Sequence, residues 1–128
     1  MFTFRMMYNS TPVKIIENSF RVNIKPFNHF LGEDNNGSYT YFNYHARDLD
    51  GARKVIVKVY STNHTWIHCD CPWFRYNCEV ALAMRGSSTI TKSNGQPPKI
   101  RNPLMKPMVC KHGIATLVDL SMRQLISI

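Results

Sequence analysis

Two short runs of this sequence carry side chains that bind metal ions. Cys69-Asp70-Cys71 lies in "WIHCDCPWFRYNC", and Cys110-Lys111-His112 lies in "MVCKHG". In an extended chain residues i and i+2 point the same way. Cys69 and Cys71 would then aim both sulfurs at one point, with Asp70 turned outward. Side chains held parallel at that spacing have the wrong torsion for a disulfide. They suit two thiolates on one ion, since zinc takes a tetrahedron of ligands with about 2.3 Å to each sulfur. Cys110 and His112 repeat the i, i+2 arrangement. The four residues together offer three thiolates and an imidazole, a closed set that favours zinc over iron. Two other readings stay open. One is buried, reduced thiols with a hydrogen-bonded histidine. The other is an iron–sulfur cluster on Cys69, Cys71, Cys78 and Cys110. Cys78 shares a helical face with Phe74 and Leu82 and reads as core. His64 and His68 read as rim or surface residues, with His68 on the side of its strand away from the ligand pair and His64, in the preceding turn, the alternative ligand or ligand-supporting residue.

The elements that must position these ligands make an α+β domain: an antiparallel β-meander followed by a zinc-clipped helix–arm–helix unit. Residues 1–38 are expected as N-terminal strands or an arm, because "TFRMMY" and "SFRVNIKPF" alternate or carry β-formers around a turn at Pro12. Asn36-Gly37 and Asp50-Gly51 are hairpin signals. They frame a meander over residues 39–71, with Val55, Val57 and Val59 on one strand face and "WIHCDC" as its last strand. At Pro72 the period changes. Phe74, Cys78, Ala81 and Leu82 fall at helical spacing, with Pro72 suited to the helix start and Gly86 to its stop. Residues 72–128 thus form the metal unit. Its arm, 90–109, turns at Asn94-Gly95 and is held open by Pro97, Pro98, Pro103 and Pro107. A closing amphipathic helix carries Ile114, Leu117, Val118 and Leu125 at helical intervals.

The 128 residues, 44% of them hydrophobic, suffice for one compact domain with a limited core, which a metal staple would reinforce. A net charge of +8 and a pI near 9.6 suit nucleic acid or an acidic partner surface. Between Glu79 and Asp119 there is no acid, whereas Arg85, Lys92, Lys99, Arg101, Lys106 and Lys111 are all basic. These six are candidate contacts to phosphates or to a partner, although the arm lacks aromatic residues on which bases could stack. Met6, Met7, Met105, Met108 and the "MFTFRMMYN" segment are candidate interface residues. The N-terminus has no secretory pattern, and no apolar run is long enough for a bilayer. Cysteines in such a chain point to a reducing compartment. No Ser-His-Asp set, carboxylate pair or Gly-rich phosphate loop stands out, and four ligands close the metal site, so the chain reads as non-enzymatic.

"CDC…CKH" resembles the Cys-x-Cys…Cys-x-His signature of SWIM-type zinc fingers, in which a strand carries the first pair and a helix follows the second. The gap from Cys71 to Cys110 is longer than usual for that family. From Cys69 onward, "CPWFRY…EVALAMRGSSTITKSNGQPPKIRNPLMKPMVCKH" is similar to a group of small tailed-bacteriophage proteins. These share a Cys-x-Cys-Pro-x-Phe start, a Ser-Asn-Gly turn, an Asn-Pro step and a closing Cys-Lys-His. The resemblance implies structural Zn2+ on Cys69, Cys71, Cys110 and His112. It also implies a virion or assembly component, made in the host cytoplasm and touching other subunits of a symmetric assembly, with tail or baseplate preferred over head. SWIM-like modules are associated with DNA or protein binding, so the alternative is a nucleic-acid-binding module in phage DNA metabolism.

Overall fold

The computed structural model of the chain describes residues 1–91, 95–96 and 101–127. Its centre is an antiparallel five-stranded sheet in the order β1-β5-β4-β3-β2, made of β1 (Phe2–Thr3), β2 (Asn23–Asp34), β3 (Gly37–Asp48), β4 (Gly51–Tyr60) and β5 (His64–Cys69). The β2–β3 and β3–β4 hairpins close on Asp34↔Gly37 and Asp48↔Gly51. Gly37 and Gly51 both take positive φ (116° and 115°), a conformation that glycine adopts without steric cost. The sheet and the helices together are α+β, as the sequence pattern indicates.

Alternation along β4 sets the core. Val55, Val57 and Val59 turn to one face, opposite Tyr44 and Phe42 on β3 and Cys69 and Ile67 on β5, and all are buried. Helix α5 (Lys111–Met122) covers this face with Ile114, Leu117 and Leu120, each fully buried. Full burial of such side chains contributes about 1.5–3 kcal/mol each. Tyr44 Oη donates to Asp119 Oδ2 (2.8 Å), tying the middle of the sheet to this helix. Leu125, expected on the helical face, lies beyond the helix end and is exposed.

The expectation of N-terminal strands holds for Asn23–Asp34, which is β2, and is corrected for the residues before it. After the two residues of β1 the chain forms helices α1 (Phe4–Ser10) and α2 (Val13–Ser19). Phe4, Met7 and Tyr8 sit at i, i+3, i+4, while Phe2, Phe4, Met6 and Tyr8 alternate, and burial of Phe4 and Met7 against the core decides for the helix. Thr3 caps α1 by accepting the Met6 N–H (3.3 Å). Of the residues before β2 only the two of β1 are strand, paired with β5 at one end of the sheet. Met7 and Met108 are core residues, while Met6 is half exposed.

The helix expected from Pro72 divides into α3 (Pro72–Asn77) and α4 (Glu79–Ala83), with Cys78 between them. Asn102 Nδ2 claims the Asn77 carbonyl (2.9 Å), and Asn77 Nδ2 bonds back to the Trp73 carbonyl (2.8 Å); such side-chain competition bends helices. Asn94 and Pro97 and Pro98 of the expected arm lie outside the described residues. Where the rest of that segment is described most of it is exposed, with Asn102, Met108 and Val109 buried. Asn102 is buried and also bonds the Lys106 carbonyl and N–H (2.9 Å each), while Val109 N–H donates to Thr11 Oγ1 (3.0 Å).

Candidate metal centre

The meander and α5 deliver the two ligand pairs to one place. Cys69 ends β5, paired with Val55, and Cys71 follows as the N-cap of α3. Cys110 is the N-cap of α5 and His112 lies in its first turn. Ligand atoms of Cys69, Cys71, Cys110 and His112 all lie within 4.8 Å of one another, and all four residues are buried. The grouping is compatible with a zinc site or with another metal.

Both capping cysteines accept a backbone N–H at the start of their helix. Cys71 Sγ receives Phe74 N–H and Cys110 Sγ receives Gly113 N–H, each at 3.4 Å. A helix N-terminus carries partial positive charge, so both positions favour thiolate. The hydrogen bonds from Cys110 and then Cys69 hold the Cys71 thiol far below its ordinary range. Burial, followed by the same sulfur contacts, pushes the Cys110 thiol up. One thiolate with protonated neighbours is a group whose protons a cation can displace as it binds.

His112 is buried, and neither ring nitrogen completes a hydrogen bond among the described residues. An unsatisfied buried imidazole is costly unless it has a partner, and metal coordination supplies one. Its Nε2 lies 3.4 Å from Asp48 Oδ2. A ligating histidine commonly presents its second nitrogen to a carboxylate, which fixes the ring and raises its basicity. Asp48 is held in turn by Lys111 Nζ (2.7 Å), which also meets Asp50 Oδ2 (2.5 Å). Although burial pushes the Asp48 carboxyl up, the Lys111 ammonium and the Asp50 N–H bring it below the usual range. Sequence reasoning missed Asp48. Its only signal was an acid at the mouth of the Asp50-Gly51 turn.

Gly113 permits the close approach of α5. A Cβ there would overlap Val109 Cγ1 and sit 3.1 Å from Ile67 Cδ1 and 3.7 Å from Cys110 Sγ. A cleft of about 320 Å³, lined by Arg53, Trp73 and Lys111 among others, reaches the outer side of Cys71, Cys110 and His112.

Cys78 stays outside the ligand group and is buried in the core, where burial and then the charge at Cys71 push its thiol well up. His68 turns away from the cluster, with Nδ1 3.8 Å from Glu79 Oε1 and its ring edge-on to Phe74. His64 Nδ1 meets Thr62 Oγ1 (2.9 Å). Asp70 turns outward, accepting the Lys54 N–H (3.2 Å). Of the six basic candidates, Arg85, Arg101 and Lys106 are exposed, Lys111 is engaged by Asp48 and Asp50, and Lys92 and Lys99 lie outside the described residues. The fold supplies an aromatic that the basic segment lacks: half-exposed Tyr76 has Arg75 and Arg101 over its ring, at 5.0 and 5.6 Å.

Comparison with protein-family models, with curated proteins and with solved structures finds no match for the chain.

Proposed function

We propose that the chain is a non-catalytic, SWIM-like zinc module that acts through protein–protein contacts, as a structural or assembly component of a tailed-phage particle. The observation that carries the metal part is the buried Cys69, Cys71, Cys110 and His112 group, which joins the end of the sheet to the starts of α3 and α5. Three sulfurs and an imidazole form a typical structural zinc set, and four protein ligands leave no position for substrate. Inclusion of His112 and exclusion of Cys78 favour zinc over an all-thiolate iron–sulfur cluster. Support for the particle context is the resemblance from Cys69 onward. Tail or baseplate is preferred over head on that analogy alone.

Native mass spectrometry tests the metal part. One zinc ion should be bound, lost in Cys69→Ser, Cys71→Ser, Cys110→Ser and His112→Ala, and kept in Cys78→Ser. Purified virions test the context: the chain should be present at a fixed, symmetric copy number, and its absence contradicts the assignment.

The Arg75–Tyr76–Arg101 cluster favours a second reading, contact with nucleic acid, since bases stack on such rings while guanidinium groups meet phosphates. Titration of a single-stranded oligonucleotide at several salt concentrations separates the two. The structural role gives no salt-dependent binding, whereas a steep slope would favour the second reading.

A further inference from the structure

The two edges of the sheet are treated differently. At the β5 edge, β1 pairs with Thr65 and His64, and Ser87 O accepts the Ile67 N–H (2.8 Å). The opposite edge, β2, is the last strand of the sheet, and nearly all of its twelve residues are exposed. Edge strands are commonly shielded by proline, lysine or a bulge. Here Lys25, Pro26 and the register shift between Pro26 and Asn28 shield only the first half of β2. Residues 28–34 carry no proline, lysine or bulge, and their carboxylates, Glu33 and Asp34, sit at the hairpin end. The same residues present Phe30, stacked on Tyr41 (4.4 Å) yet half exposed, and Leu31, 83% exposed.

The backbone of this half is oriented for pairing. Ser38 O accepts the Ser61 N–H (2.9 Å), so Ser38 turns its backbone toward the β4 side. Its partner Glu33 is therefore in a non-hydrogen-bonded pair with β3, and alternation leaves the N–H and C=O groups of Glu33, Leu31 and His29 pointing off the sheet.

We infer that β2 pairs with β2 of a second copy of this chain, antiparallel and centred on Leu31. The sequence of the strand is self-complementary in that register. Leu31 meets Leu31 at the two-fold axis. His29 faces Glu33, and Asn28 faces Asp34, placing donors opposite carboxylates on both sides. Phe30 lies opposite Gly32, whose side-chain space is filled by the Tyr39 ring, so the two rings would meet across the pair. The three outward residues of each strand would exchange about six backbone hydrogen bonds, extending the two sheets into one. This inference deepens the proposed protein–protein role and rests on it. An interface of this kind belongs among those below about 1,200 Å² in total, the class of weak, reversible contacts.

Sedimentation equilibrium of the full, zinc-loaded chain across the micromolar range tests the pairing, with metal content measured on the same samples. The native chain should dimerise, and Leu31→Arg should abolish the dimer. His29→Glu sets two carboxylates against each other at both symmetric contacts and should raise the dimer Kd about tenfold, at up to 1 kcal/mol per cross-strand pair. Adding Glu33→Lys to His29→Glu should restore it. A chain that is monomeric throughout, or a double variant no better than His29→Glu, overturns the pairing. If those samples still hold one zinc per chain, the metal-module reading survives; loss of zinc from the native chain would instead defeat that reading.

Discussion

Gly113→Ala offers a perturbation whose sign alone is informative. In an exposed helix, replacing glycine by alanine stabilises by about 1 kcal/mol. At position 113 the added methyl would overlap Val109 Cγ1 and press on Ile67 Cδ1, and both neighbours are fully buried. Overpacking a rigid core costs about 1–3 kcal/mol, and with no open side to yield into we take the upper half of that range. Subtracting the helical gain leaves a net loss of about 1–2 kcal/mol. Urea denaturation of the metal-loaded protein should show a lower midpoint at unchanged slope. Val109→Ala removes the overlapped atom at its own cost, so the double variant should be less destabilised than the sum of the singles by about 1 kcal/mol or more. A Gly113→Ala protein more stable than native, or strict additivity with Val109→Ala, would refute the claim that α5 is seated against β5 by this contact.

Asp48→Asn should weaken zinc retention about 10–100-fold in chelator competition, through loss of the carboxylate beside His112. Asp50→Asn, at an exposed carboxylate, should change it little. Asn102→Ala leaves the Asn77 and Lys106 backbone groups without their side-chain partner and should cost about 2–3 kcal/mol by the same denaturation assay. The Tyr60 hydroxyl donates to Asp34 Oδ2 (2.6 Å), and this bond is the first cause holding the Asp34 carboxyl below its ordinary value. A depressed folded-state pKa gives stability that is present above the unfolded value and lost as pH falls through the folded one. Tyr60→Phe should therefore return Asp34 toward ordinary titration in NMR and flatten the acid limb of stability. The Tyr60 hydroxyl itself is pushed up to about 12, by burial and then by Asp34, so native stability should fall as pH rises from about 10 toward 12.

The meander and the ligand pairs were legible because their signals are local. Val55, Val57 and Val59 alternate, Asp50-Gly51 turns the chain, and i, i+2 spacing places Cys69 and Cys71 on one side. The N-terminal helices were not legible. Phe4, Met7 and Tyr8 fit a helical period and Phe2, Phe4, Met6 and Tyr8 a strand period, and only packing against the core chooses between them. The break at Cys78 depends on Asn102 reaching the Asn77 carbonyl, a contact between distant residues. Asp48 beside His112 and Arg101 over Tyr76 are likewise products of tertiary structure, invisible to spacing. The N-terminal segment contributes only two strand residues, and β2 is the long, exposed strand at the other end of the sheet.

X-ray absorption at the zinc edge of the metal-replete protein tests the central claim most directly. Three sulfurs at about 2.3 Å and one nitrogen at about 2.0–2.1 Å are expected, with the same pattern in Cys78→Ser and loss of the nitrogen shell in His112→Ala. Four sulfur neighbours that fall to three in Cys78→Ser, or iron in place of zinc, would contradict it.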